Sequence, residues 1–144
     1  MIYKAAPGEN SGEAPRVNQP PLRVLVVDDD RDTVISLTLL LRDEGYEVES
    51  ASSAEQLWRS IRDFEPQAIL LDIGLPDRNG YEIARDLRRR FGSRIALIAV
   101  TGWNKGSDKI LAEISGFDHH VGKPYDPQHL LSLLEPLKNQ RPGE

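Results

Sequence analysis

Four short hydrophobic runs limit what this chain can fold into: Val24-Leu25-Val26-Val27, Ala68-Ile69-Leu70-Leu71, Ile95 to Val100, and Phe117 to Val121, the most polar of the four. A strand with one wet face alternates apolar and polar residues, whereas a run that is aliphatic at successive positions needs cover on both faces. Strands of that kind belong to parallel sheets with helices packed above and below. Each run also leads to polar residues. The first ends on Asp28-Asp29, the second on Asp72, the third on Thr101, and the fourth leads to Lys123-Pro124. Open parallel sheets bind ligands beyond the carboxyl ends of their strands. Three carboxylates, one hydroxyl and one ammonium are therefore expected to converge on one edge of the sheet.

Helical periodicity fills the intervals. Val34, Leu37 and Leu41 form a stripe that stops at Gly45, a residue suited to closing a helix in the left-handed conformation. Tyr46 to Ala51 reads as a short second strand. Ser53 and Gln56 resemble a capping box, and Ala54, Leu57, Trp58, Ile61 and Phe64 follow at helical spacing until Pro66, which puts Trp58 in the core. Asn79 can cap a third helix carrying Ile83, Ala84 and Leu87. Ile110, Leu111 and Ile114 mark a fourth, closed by Gly116. Asp126 with Pro127 opens a fifth, with Leu130, Leu131, Leu133, Leu134 and Leu137. Five strands in alternation with five helices require right-handed crossovers. The predicted fold is a flavodoxin-like, doubly wound five-stranded parallel sheet in three α/β/α layers.

This domain is expected to span residues 22–138. Residues 1–21, with Pro7, Pro15, Pro20 and Pro21 among small polar residues, cannot bury enough apolar surface to offset their ordering entropy and read as a flexible tail; 139–144 read as a short second tail. A formal charge of −5 gives counterion release nothing to act on, so no nucleic-acid contact is expected. The basic run Arg85, Arg88, Arg89, Arg90 and Arg94 is broken by Asp86 and reads as a solvated face. The absence of cysteine excludes disulfides, thiolate catalysis and zinc–thiolate sites. No apolar run approaches the roughly 18 residues of a membrane span, and no signal-peptide pattern opens the chain, so a cytoplasmic protein without membrane contact is expected.

The chemistry lies in the carboxylates. Asp28, Asp29 and Asp72 brought within a few ångströms repel one another unless a cation sits among them. Hard oxygen donors without His or Cys select Mg²⁺ or Mn²⁺. With the cluster neutralised, one carboxylate can attack an incoming phosphoryl group and become an acyl phosphate, while Lys123 holds a phosphoryl oxygen as a point charge and Thr101 donates its hydroxyl to another. Relief of the repulsion also implies that Asp28→Asn or Asp72→Asn should melt at higher temperature without metal. A phosphatase of the haloacid dehalogenase type is the main rival reading, because Asp28-Asp29-Asp30 contains its Asp-x-Asp. That reading would make Asp28 the nucleophile, but it needs Thr or Val where Asp32 stands and a cap domain for which the chain has no room.

The residues Val26-Val27-Asp28-Asp29, Leu71-Asp72-Ile73-Gly74-Leu75-Pro76 with Gly80, Val100-Thr101-Gly102 and Lys123-Pro124 resemble those of response-regulator receiver domains of two-component signalling. The intervals of 43, 29 and 22 residues between Asp29, Asp72, Thr101 and Lys123 fit that family. Thr101-Gly102-Trp103 and Gly116 to His120 look most like receivers associated with hybrid histidine kinases. The resemblance implies Asp72 as the acceptor of a phosphoryl group from a phosphohistidine, and Asp28, Asp29, Asp72 and the carbonyl of Gly74 as the Mg²⁺ site. It also implies a cis Lys123-Pro124 bond and, as partners, a histidine kinase or histidine phosphotransfer protein upstream and a protein effector downstream. The chain would catalyse its own phosphorylation and slow dephosphorylation, turning over no separate substrate. A receiver-like module that binds without being phosphorylated is the remaining alternative. The family usually has Tyr or Phe three residues before the Lys, where its ring swings inward as Thr101 moves; here His120 stands there. Trp103 would lie at the rim of the site, on the loop that carries Thr101.

Overall fold

The structure, a computed structural model, describes residues 20–102 and 106–139. Strand and helix alternate throughout: β1 (Arg23–Val27), α1 (Arg31–Asp43), β2 (Glu47–Ala51), α2 (Ala54–Phe64), β3 (Ala68–Asp72), α3 (Gly80–Phe91), β4 (Ala96–Thr101), α4 (Gly106–Ser115), β5 (His119–Gly122) and α5 (Pro127–Leu134), followed by a 3-10 turn at Glu135–Asn139. The strands pair in parallel in the order β2-β1-β3-β4-β5. This is the predicted doubly wound fold. Of the expected tails, residues 1–19 and 140–144 lie outside the described residues, and Asn139 ends the 3-10 turn. Among the described residues no helix is long and apolar enough to cross a membrane.

The unbroken aliphatic runs have the physical reason expected of them, since successive residues of each central strand are buried on opposite faces. Leu25, Val27, Ile69, Leu71, Leu97 and Ala99 pack against Leu57, Ile61, Ile83, Leu87 and Ala112 of α2, α3 and α4. Val24, Val26, Leu70, Ile98, Val100 and Val121 pack against Leu37, Leu41, Leu130 and Leu134 of α1 and α5. Each fully buried Leu or Ile contributes about 2 kcal/mol relative to exposure.

β2 and β5 start later than the sequence suggested, for one reason. Gly45 closes α1 at φ 94°, with its N–H bonded to Arg42 O and that of Tyr46 to Leu41 O. Gly116 closes α4 at φ 107° with the same pair of bonds, to Glu113 O and from Phe117 to Ala112 O. In this termination the residue after the glycine supplies a hydrogen bond and a buried side chain. Tyr46 and Phe117 do both, so β2 and β5 begin beyond them.

The helix surfaces hold one addition and two failed expectations. Ile110, Leu111 and Ile114 mark α4 as expected, but they are exposed, and the helix turns Ala112 and Ser115 inward instead. Periodicity identified a helix but not which side is covered. Trp58 is only half-buried, at the edge of α2, where the Arg90 guanidinium lies 4.6 Å from its ring centre. The arginine run is not one solvated face. Arg88 donates to the carbonyls of Gly116 (2.7 Å), Gly92 (2.8 Å) and Ile95 (2.6 Å) and to Asp118 Oδ2 (2.7 Å). That same carboxylate oxygen accepts from the Leu97 N–H at 2.8 Å, so one side chain ties α3 to the starts of β4 and β5.

The turn after β3 is held close to α3 by a missing side chain. A Cβ on Gly80 would lie 2.6 Å from Ile73 Cα and 3.2 Å from Ile73 O, while its N–H bonds that carbonyl at 2.9 Å. Backbone cannot yield as a flexible side-chain tip does. Gly80→Ala is therefore expected to cost about 2 kcal/mol in urea unfolding; unchanged stability would show that the turn relaxes freely.

Candidate functional site

The strand order reverses direction between β1 and β3, and in such sheets the crevice at that point is where ligands bind. Asp28 and Asp29 follow β1 directly, and Asp72 ends β3 beside them. One carboxylate oxygen from each of the three lies within 4.8 Å of the others. Asp28 is buried at 3% exposure, Asp72 retains 12% of its side-chain surface, and Asp29 is exposed. Asp30, the second acid of the rival Asp-x-Asp reading, is not in the cluster. Its backbone N–H donates to Asp28 Oδ1 (2.9 Å), and its carboxylate accepts from Thr33 Oγ1 (2.6 Å) at the start of α1. That last bond holds the Asp30 carboxyl below its ordinary pKa range.

Lys123 reaches the cluster from the turn after β5, where its bond to Pro124 is cis as the resemblance implied. Its Nζ lies 2.7 Å from Asp28 Oδ2 and 3.8 Å from Asp72 Oδ2. Burial disfavours the ammonium, but the hydrogen bond and charge of Asp28, with Asp72 and Asp30 behind it, outweigh burial and lift the Lys123 pKa. Asp72 is affected differently. Burial pushes its pKa up, against the bond from the Gly74 N–H (3.1 Å), and the charge of Asp28 pushes in the same direction as burial. Within this acidic group, Asp28 is the paired carboxylate and Asp72 the strained one.

Thr101 is buried at the end of β4. Its carbonyl accepts from the Lys123 N–H at 2.7 Å, and its register partner is Gly122, one place beyond the Asp72–Val100 pair. Thr101 at the end of β4 and Lys123 just beyond the end of β5 thus lie side by side, next to the strand that ends on Asp72. Gly74 follows in the turn after β3. His120 is half-buried on β5 opposite Ala99 and helps line a cavity of about 350 Å³ with Ala112, Glu113 and Phe117, between α4 and β5. Trp103 lies outside the described residues.

Sequence reasoning missed Asp77. From the turn after Asp72 its carboxylate accepts from the N–H groups of Ala54 (2.9 Å) and Glu55 (3.3 Å), adding a distant cap to α2 beside the local one from Ser53 to Gln56 N (3.2 Å). The bond to Ala54 N holds its carboxyl below the ordinary range. An Asp three residues before a helix signals its own cap; nothing local points 23 residues back. Gln56 departs slightly from the capping box, returning its side chain to the Ser52 N–H at 2.8 Å rather than to that of Ser53.

Residues 24–135 match the model of the response regulator receiver domain. Among curated relatives, the DNA-binding response regulator MtrA of Mycolicibacterium smegmatis is 34% identical over 112 residues, 78% of this chain and 48% of that protein. The aerobic respiration control protein ArcA of Escherichia coli is 32% identical over 107 residues, 74% of this chain and 44% of that protein. The chain thus spans about half the length of these relatives. Among solved structures, a CheY-like response regulator receiver domain protein from Methanospirillum hungatei superposes with a TM-score of 0.76 at 30% identity, covering 83% of this chain and 95% of the other. Carboxylate crevice, sheet order and sequence agree, and the chain belongs to the response-regulator receiver domain family.

Proposed function

We propose that this receiver accepts a phosphoryl group on Asp72 from the phosphohistidine of a histidine kinase or phosphotransfer protein. A carboxylate oxygen of Asp72 forms the new bond to phosphorus as the phosphorus–nitrogen bond of the donor breaks, and the imidazole leaves as a neutral ring after taking a proton. The observation that carries this reading is the unequal treatment of the two acids. Asp28 is neutralised by Lys123 at 2.7 Å, whereas Asp72, at the crevice, has that ammonium only at 3.8 Å. The donor set fits a divalent ion: three oxygen anions within 4.8 Å and one lysine cannot be neutral without another cation. Asp28, Asp29, Asp72 and the Gly74 carbonyl would hold Mg²⁺, which when bound supplies positive charge to the phosphoryl oxygens. Lys123 then exchanges Asp28 for a phosphoryl oxygen, and the Thr101 hydroxyl donates to another.

The readout we infer is a protein contact. Ile110, Leu111 and Ile114 leave an apolar strip on α4 at 44–71% exposure, next to β5 with His120 beneath, and a shift of Thr101 would be relayed to this face. Such a strip is the kind of surface that binds a protein rather than a polyanion. Mn²⁺ satisfies the same donors as Mg²⁺.

Acetyl phosphate with Mg²⁺ should shift the protein on a phosphate-affinity gel. The shifted band should vanish with EDTA and in Asp72→Asn, and fall at least about tenfold in Asp28→Asn, through loss of about 1.4 kcal/mol or more of metal and transition-state binding. An undiminished band in Asp72→Asn would refute the assignment.

A further inference from the structure

A second concave site lies at the opposite end of the sheet. Five residues of β3 separate the two ends, roughly 16 Å of extended chain. It is a cavity of about 680 Å³ between α2 and α3, below the starts of β1 and β4. Its wall is apolar, formed by Trp58, Ile61, Phe91 and Ile95. Its rim is cationic. Arg23, Arg90 and Arg94 line it, and none of the three pairs with a carboxylate among the described residues. Arg62, also on the rim, pairs with Asp63 at 3.3 Å, and Glu65 is the one acid in the lining. In a chain of net charge −5, three guanidiniums gathered around an apolar hollow with a single acid in its lining, and none of them ion-paired among the described residues, are out of proportion.

Their geometry is prepared as well as their charge. The Arg90 guanidinium lies 4.6 Å from the Trp58 ring centre and that of Arg94 5.7 Å from the Phe91 ring centre. A guanidinium stacked on an aromatic face is fixed in plane while its edge N–H groups stay available for two parallel bonds to an oxyanion. Arg94 and Arg23 each use Nε on a backbone carbonyl, Phe91 O at 3.2 Å and Glu65 O at 2.8 Å, which orients their terminal nitrogens. A surface cation serving only solubility needs neither support.

We propose that this hollow binds a nucleoside polyphosphate, with the phosphates on Arg23, Arg90 and Arg94 and the base against the Trp58 and Phe91 wall. The volume lies within the range of small-molecule sites, and aromatic faces with arginine planes are what bases stack on. An acidic peptide would use the cations but leave the apolar wall unfilled. The site shares no residue with the carboxylate crevice, so it stands or falls independently of phosphorylation.

The test is calorimetric titration of the full chain with ATP, in EDTA at low salt, with inorganic tripolyphosphate and a poly-glutamate peptide as comparisons. ATP is expected to bind, to lose at least about tenfold in affinity in the double variant Arg90→Ala/Arg94→Ala, and to exceed tripolyphosphate by at least about tenfold, 1.4 kcal/mol in each case. Both arginines are exposed, and unchanged phosphorylation by acetyl phosphate with Mg²⁺ would show that the double variant is folded. Absence of ATP binding up to about 5 mM, undiminished binding in the double variant, or equal or tighter binding of tripolyphosphate or the peptide would overturn the proposal.

Discussion

Replacing Arg88 with methionine should remove about 3 kcal/mol of folding stability, the largest loss expected from a single side chain outside the apolar core. Methionine keeps much of the apolar stem but none of the donors. The carbonyls of Gly116, Gly92 and Ile95 and the Asp118 carboxylate then lose their partner together. A hydrogen bond from a charged donor contributes about 1.5–3 kcal/mol, and water can reach some of these acceptors, so the sum is well below four separate bonds. The Arg88 side chain keeps only 21% of its surface, which places the loss above that of an exposed ion pair. Arg88→Lys can restore one contact and should recover under half. A stability change within about 0.5 kcal/mol in Arg88→Met, the range of ordinary surface substitutions, would show that the network is incidental.

The second large effect separates two acids that the sequence treats alike. Both Asp28→Asn and Asp72→Asn are expected from repulsion alone to raise the melting temperature without metal. The pairing of Asp28 with Lys123 at 2.7 Å changes that expectation for one of them. Asp72→Asn removes a carboxylate whose pKa burial and Asp28 push up. A group whose folded-state pKa is raised favours folding where it is protonated, below its unfolded value, and that advantage is lost as pH rises through the folded value. At pH 7 the ionised Asp72 is a cost, and its removal should raise the melting temperature in EDTA by a few degrees, at about 4 °C per kcal/mol. Asp28→Asn instead leaves a largely covered ammonium with weaker compensation and should lose about 2 kcal/mol. Lys123 follows the same rule at higher pH: its raised pKa stabilises the fold at all pH values below its unfolded value, where it is protonated, so the difference between the two variants should persist from pH 6 to 9. If both variants melt higher in EDTA, the Lys123–Asp28 pair does not carry the stability assigned to it.

What the sequence made legible were features stated by adjacent residues. Aliphatic runs such as Val24 to Val27 require cover on both sides, Gly45 and Gly116 end helices by their own conformation, and Asp28, Asp29, Asp72, Thr101 and Lys123 each sit at a strand end that the topology brings to one edge. What it hid were pairings across long separations. Asp77 caps a helix 23 residues earlier, Arg88 reaches Asp118 thirty residues on, and Lys123 chooses Asp28 over Asp72 across 95 residues. The exposure of the α4 face was hidden for a related reason, because apolar spacing shows that a helix has a greasy side but not whether the fold covers it.

The central claim, that Asp72 is the residue phosphorylated, is tested most directly by trapping. Treating the acetyl-phosphate-labelled protein with borohydride reduces an aspartyl phosphate to homoserine, and mass spectrometry of the peptides then reads the position. Conversion at Asp72, dependent on Mg²⁺ and absent after EDTA, is the result this account predicts. Conversion at Asp28, or a phosphoryl label recovered on His119, His120 or His129, would contradict it.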